Sequence, residues 1–305
     1  MKSLYESILN KSGVGKIYLI QKWLDEHKVK NYTINNKGEI DVDGDVLLSN
    51  CGLTEFPPFI QFGTVKGFFY CSNNELTSLE GSPREVEKDF ICVDSGLTTL
   101  KGSPEKVGGS FYCYSNKLES LEGAPREVGG DFVCSNNELT SLEGAPKKVG
   151  GSFDCAFNHL TTLKGCPRVV KKSFYCNSNE LTSLKGLPRE VGESFYCHQN
   201  KLETLEGAPR EVGGDFACNN NELTSLEGSP EKVRGFFDCS YNQLTSLKGA
   251  PKEVGGDFVC NNNNLESLKG APNKVGGDFN CKNNNTKFTK DDVRKVCKVE
   301  KDIYA

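Results

Sequence analysis

The chain is poor in the residues from which active sites are most often assembled. It has three histidines, one tryptophan and one methionine in 305 residues, and its 37 basic side chains nearly balance its 41 acidic ones, for a net charge of -4. A surface so close to neutral offers no bulk attraction for phosphate backbones or anionic lipid. Neither nucleic acid nor a membrane is expected as a partner, and any partner must be read by shape. No apolar run approaches the roughly 20 residues that span a bilayer. The opening residues MKSLYESILN hold neither an apolar core of signal-peptide length nor a small-residue cleavage pattern, so a cytoplasmic location is expected. There is also no Cys-x-x-Cys pair, which removes the commonest zinc-binding spacing.

Cysteine, by contrast, is plentiful, and its spacing is regular. Of 14 cysteines, eleven (Cys71, Cys92, Cys113, Cys134, Cys155, Cys176, Cys197, Cys218, Cys239, Cys260 and Cys281) fall 21 residues apart without an insertion. A disulfide framework has irregular, loop-bridging spacings; a fixed period means one unit copied. Phe stands two residues before each of these cysteines, and Asn three residues after, with Ser95 the exception. Leucines follow at five and eight residues, as in Leu139 and Leu142, and then come Gly, Pro and Val, as in Gly144, Pro146 and Val149.

Phe and Cys two apart share one side of an extended segment, so F-x-C-x-x-N-x-L reads as a short strand with one buried face. The following L-T-S-L-E-G-A-P-R-E-V-G-G carries too much Gly and Pro for a helix and suits an extended return. Each unit is then one turn of a coil, and only stacking on its neighbours can bury its Phe, Cys, Leu and Val. At the bend after the strand, backbone groups lose their ladder partners. An Asn amide supplies both donor and acceptor there, which predicts a buried Asn ladder.

On these residues the chain resembles the leucine-rich-repeat family, with Phe132, Cys134, Asn137 and Leu139 matching the later part of its motif. The Val slot departs from it, lying four residues before Phe (Val128 to Phe132) where the family spacing is three, so the Gly pair there is expected to form a bulge or turn. The resemblance implies a β-rich solenoid: a parallel sheet of about 12 short strands, with extended convex returns and helical end caps. The Phe-and-Cys version of the unit is also similar to repeat proteins of tailed-phage genomes, which implies a phage origin and a host-cytoplasm location.

Three segments are expected: an N-terminal helical and hairpin cap over 1–45, the solenoid over 46–286, and a C-terminal capping helix over 287–305. In the first, residues 3–29 read as helix, with Ser3 and Glu6 as a capping box and Ile17, Ile20 and Leu24 as an apolar stripe beside Trp23. Tyr32 to Asn35 and Glu39 to Val42 read as a hairpin. Val46, Leu48, Cys51, Leu53 and Phe56 form an altered first repeat in which Cys51 takes the Asn slot. At the far end Thr289 and Asp292 make a second capping box, for a helix reaching Val299.

No catalytic residue, cofactor or metal is assigned. His27, His159 and His198 have no convergent carboxylate or thiol around them in sequence. The recurrent Gly pairs precede strands, whereas a phosphate cradle precedes a helix. With Phe and Cys inward, the residues three before, one before and one after each Cys face outward. These positions vary while the rest repeat. Tyr112, Tyr114, Asp154, Tyr175, Tyr196 and His198 are the candidate partner-binding residues, on an expected concave strand face. The expectation is a non-enzymatic scaffold for a protein partner; the phage resemblance would make that a host factor. The alternatives are a binder that sequesters a small molecule or nucleotide, and a structural component of a virion.

Overall fold

A computed structural model describes residues 13–188 and 191–305. They form two compact units, one of residues 13–137 and 144–146, the other of 138–143, 147–188 and 191–305. The proposed Ser3–Glu6 capping box lies outside the described residues.

In the first unit a helix, Gly13–Glu26, leads into an antiparallel hairpin in which Tyr32–Ile34 pairs with Ile40–Val42. The helix buries Leu19, Ile20, Trp23 and Leu24. Ile17, expected in the apolar stripe, is 41% exposed, because the buried face centres on Trp23. Trp23 meets Phe56 and Phe62 edge-on at 6.5 and 6.4 Å and stacks on His27. From there Val46–Leu47, Phe69–Tyr70, Phe90–Ile91, Phe111–Tyr112 and Phe132–Val133 pair in parallel, each with the strand one turn on.

The second unit repeats the design with Phe153–Asp154, Phe174–Tyr175, Phe195–Tyr196, Phe216–Ala217, Phe237–Asp238, Phe258–Val259 and Phe279–Asn280. Each unit is a parallel-strand β-solenoid of leucine-rich-repeat-like form. The return holds more structure than its sequence suggested. The Val slot forms a second parallel ladder: Glu85–Val86, Lys106–Val107 and Glu127–Val128 in the first unit, Glu211–Val212, Lys232–Val233, Glu253–Val254 and Lys274–Val275 in the second. The Gly pair is the corner between the two ladders, which accounts for the extra residue between Val and Phe.

The inward side chains meet their equivalents one turn away. Phe69, Phe90, Phe111 and Phe132 stack face to face at 5.2 to 5.4 Å, and Phe216, Phe237 and Phe258 do so at 5.3 and 5.6 Å. These rings are fully buried, and each contributes about 1.5–3 kcal/mol of transfer free energy. In-register stacking follows from the parallel pairing, which places identical residues side by side.

The predicted Asn ladder is present. Asn137 Nδ2 donates to the carbonyls of Cys113 (3.1 Å) and Cys134 (3.0 Å), and its Oδ1 accepts from the Leu118 N–H at 3.1 Å. Asn200, Asn221 and Asn242 repeat the arrangement in the second unit. Ser95, the exception to Asn in the eleven repeats that carry the ladder cysteine, is fully buried and donates to the Cys71 carbonyl at 3.0 Å.

Glycine is required at the start of each return. Gly123 has φ +92, and a Cβ there would lie 2.8 Å from the Leu100 carbonyl oxygen. The slot is glycine in every repeat from Gly81 to Gly270.

At the far end the capping box is as expected: Thr289 Oγ1 accepts from the Asp292 N–H, and the Asp292 carboxylate accepts from the Thr289 N–H at 3.1 Å. The helix is shorter than expected, Lys290–Val296, and Val293 is buried. It does not fill 287–305. Lys298–Val299 and Ile303–Tyr304 add a last strand to each ladder of the second unit, pairing with Lys274–Val275 and Phe279–Asn280. The backbone hydrogen bonds those strands offer are a stronger draw than a longer helix that buries one valine.

Candidate functional site

The inward Phe, Cys and Leu columns are buried, which leaves the outward columns as the accessible strand face. The residue three before each Cys is Asp or Ser in most repeats, and it is not a free surface group. Asp89 Oδ1 accepts from the Ser110 N–H (2.7 Å), and Ser110 Oγ from the Asp131 N–H (3.0 Å). In the second unit Ser173, Ser194, Asp215, Asp257 and Asp278 do the same for the next turn. These side chains pin the corner before each strand. The aspartates along this face therefore have a structural use in addition to their charge.

The expected binding residues fall into two groups. Tyr112 and Tyr114 lie in the first unit, Tyr112 half-buried and Tyr114 36% exposed. Tyr112 stands two strands from Tyr70, across Ile91. Burial first, then the charges of Asp89 and Asp45, pushes the Tyr70 phenol above its ordinary range.

Asp154, Tyr175, Tyr196 and His198 lie in the second unit, where the structure brings the last three together. The Tyr175 and Tyr196 rings are parallel (4°) and stacked at 5.0 Å. Tyr196 meets His198 edge-on at 6.3 Å and Phe236 at 6.5 Å, and its hydroxyl donates to Asp215 Oδ2 at 3.1 Å. Burial holds the His198 imidazole below its ordinary pKa, with Asp238 opposing, and the buried Nδ1 has no hydrogen-bond partner among the described residues. Asp154 stands beside Tyr175 in register, and its Oδ1 accepts from the Ala156 N–H at 2.9 Å.

One class of exposed residue escaped the sequence reading. The position two after each Cys has a left-handed backbone, with φ between 52 and 56 from Asn73 to Asn283. Asn and Asp tolerate this conformation best among residues with a side chain, and with Ser they fill most of these slots. Phe157 and Tyr241 occupy it instead, 54% and 55% exposed, both in the second unit. A bulky aromatic in a left-handed, solvent-facing corner breaks the local preference, and that mismatch was the available signal.

The cysteine ladder carries no reactive chemistry. The cysteines form no disulfide among the described residues, and burial pushes the thiols of Cys71, Cys113 and Cys197 far above their ordinary range. Several act as weak donors to the next turn, as Cys155 Sγ does to the Tyr175 carbonyl at 3.2 Å. Cys51, in its Asn slot, is exposed, and the half-exposed Cys166 lines a shallow groove of ≈ 720 Å³ with Val169, Val170 and Leu187. Among the described residues no group of three or more His, Cys, Asp or Glu is placed to hold a metal ion, and no helix is long and apolar enough to cross a membrane. His159 is exposed, 3.7 Å from Glu180. On the outer face Lys101–Glu80 and Lys164–Glu143 pair at 2.7 Å and Lys248–Glu227 at 2.6 Å, all exposed and worth little net energy.

No protein-family model matches the chain, and no curated protein does. Among solved structures, the chain is similar to YopM from Yersinia enterocolitica WA-314, at 16% identity and a TM-score of 0.43, over 79% of this chain and 73% of that one. It is similar also to YopM of Yersinia pestis, described as a leucine-rich effector protein, at 16% identity and a TM-score of 0.40, over 86% and 88%.

Proposed function

We propose that the chain is a non-enzymatic protein-binding scaffold that engages a partner through its outward strand face, with Tyr175, Tyr196 and His198 as its centre. The observation that carries this reading is the Tyr175–Tyr196 stack. Around it nearly every repeated slot has a structural use, in core, Asn ladder or corner. The stack is instead a half-buried aromatic surface, with the Tyr196 hydroxyl held by Asp215. Such surfaces give large contact area at low entropic cost, as protein-recognition sites require. Tyr112 and Tyr114 of the first unit, and Asp154 of the second, extend the proposed contact set. We further propose that the partner is a host factor, met in the host cytoplasm.

The test is affinity capture with the intact chain and with a Tyr112→Ala, Tyr175→Ala, Tyr196→Ala variant, beside a control altered on the outer face (Glu122→Ala, Lys185→Ala). The reading expects a protein held by the intact chain and the control and lost from the tyrosine variant. Equal retention by all three removes the strand face. Co-purification of a metabolite alone favours a small-molecule or nucleotide binder, and incorporation into particles a virion component.

A further inference from the structure

The first unit carries an apolar stripe that the core, the Asn ladder and the corners do not use. Along the column just before the Cys slot, Leu47, Tyr70, Ile91, Tyr112 and Val133 stand side by side in adjacent, in-register parallel strands. No member is buried, and Leu47 is 60% exposed. The Phe68 ring, 5.5 Å from that of Tyr70, and the exposed Tyr114 widen the stripe on its two sides. The same column of the second unit is interrupted by the carboxylates of Asp154 and Asp238.

Contiguous exposed apolar surface marks an interaction site, and here its spacing points to the occupant. Strands about 4.8 Å apart make the stripe roughly 19 Å long over its four intervals. An α-helix lying along it presents an apolar side chain every 3.5 residues, about 5.3 Å apart, and drifts from the strands by roughly 2 Å over that length. An extended segment in the same place presents one every ~6.7 Å and is out of step by the second strand. Charge fixes the flank of that helix. The three outward columns of this unit hold Asp45, Asp89 and Asp131 and no Lys or Arg, and the charges of Asp89 and Asp45 are felt at the Tyr70 phenol. The backbone N–H groups that Asp45 and Asp89 accept are neutral, so the face stays acidic. Lys88, from the corner beside it, is laid against the Phe68 ring at 4.8 Å. We propose that this stripe receives an amphipathic α-helix of a partner protein, with apolar residues every three or four positions and Lys or Arg on its flanks. The assignment rests on the reading of the outward strand face as a protein-binding surface.

The experiment titrates the full chain with a three-heptad peptide amide carrying leucine at the first and fourth heptad positions and lysine or alanine elsewhere. The comparisons are a peptide of the same composition with leucine at every second position, and one with glutamate for lysine. Fluorescence anisotropy gives the affinity and circular dichroism the helix gained, on the parent, on Ile91→Lys, Leu47→Lys and Asp89→Asn, and on Val259→Lys as a control in the second unit. The heptad peptide is expected to gain helix on binding, the other two to bind at least about tenfold more weakly, and Ile91→Lys to lower heptad affinity by about tenfold or more. Leu47→Lys and Asp89→Asn lower it severalfold, and Val259→Lys leaves it unchanged. Leu47 is largely exposed, and Asn keeps the oxygen that Asp89 offers the Ser110 N–H, so these two report even if Ile91→Lys disturbs the fold. Equal binding of the heptad and reordered peptides overturns the helix, and equal binding of the glutamate peptide overturns its basic flank. Affinity unchanged by Ile91→Lys and Leu47→Lys overturns the stripe. Self-association of the free chain that Leu47→Lys abolishes overturns the partner helix and makes a second copy the occupant. In affinity capture, a protein lost from the tyrosine variant but held by Ile91→Lys and Leu47→Lys removes the stripe and leaves the protein-binding reading in place; one held by all three removes that reading.

Discussion

Asn200 donates to the carbonyl oxygen of Cys176, one turn back, at 3.0 Å, and so joins two turns of the second unit through a side chain. The same amide donates to the Cys197 carbonyl at 3.1 Å, and its Oδ1 accepts from the Leu181 N–H at 2.9 Å. Three backbone groups that the bend removes from the strand ladder are satisfied by one residue.

Asn200→Leu leaves those three groups buried and unpaired. Each costs about 1–3 kcal/mol, so a loss of at least about 3 kcal/mol is expected in urea unfolding. A change below 1 kcal/mol would show that the ladder is dispensable.

Stability should collapse in alkali. Burial pushes the thiols of Cys71, Cys92, Cys113, Cys176, Cys197, Cys218, Cys239 and Cys260 above their ordinary range, and that of Cys281 to about 11. In the unfolded chain these groups ionise near pH 8.5. A thiol whose folded pKa is raised stabilises the fold fully below the unfolded value. It loses about 1.4 kcal/mol per pH unit above that, until the folded value is reached. With many such thiols acting together, circular dichroism in the presence of reductant should show cooperative unfolding between about pH 9 and 10.5. Cys197→Ala should reduce the proton count of the transition by one. A fold intact at pH 11 contradicts the buried placement of the ladder.

Thiol labelling checks the same placement kinetically. At neutral pH, Cys51 should react at once, being exposed, and Cys166 more slowly, while the twelve buried cysteines react only after denaturation. Fast labelling of several ladder cysteines in the native protein would mean that the turns open readily.

Phe157 holds φ +54 on an exposed corner where most other turns carry Asn, Asp or Ser. Phe157→Asn is expected to raise stability by roughly 0.5–1 kcal/mol, measured by thermal unfolding. Should partner affinity fall at the same time, the strained aromatic is retained for binding.

Gly228 illustrates the opposite case. Its φ is +88, and a Cβ would sit 2.7 Å from the Glu206 nitrogen, so Gly228→Ala must move the backbone of the preceding turn. A loss of about 2–3 kcal/mol is expected in the same unfolding measurement. An unchanged midpoint would show that the return can shift freely.

Much of the fold was legible because its signals are local and repeated. Phe132 and Cys134 lie two apart, Asn137 follows at the bend, and the Gly and Pro of the return exclude a helix. The Val128 ladder was not, because a single apolar residue between polar neighbours has no period of its own; its pairing exists only once turns are stacked. Ile17 was misplaced for a related reason: which side of a short helix is buried depends on where Phe56 and Phe62 meet Trp23. The outward direction of Tyr112, Tyr175 and Tyr196 follows from alternation along the strand. That Tyr175 and Tyr196 stack, while Tyr112 belongs to the other unit, does not.

The sequence by itself determined the 21-residue coil and its inward residues, since periodicity and side-chain alternation are properties of the chain. Only the tertiary structure decided which outward polar groups are already engaged. Asp89 and Asp215 lend an oxygen to a backbone N–H one turn on, 21 residues away in the chain, and Tyr196 lends its hydroxyl to Asp215. Those hydrogen bonds come into being when neighbouring turns pack, so the surface left for a partner is a consequence of stacking.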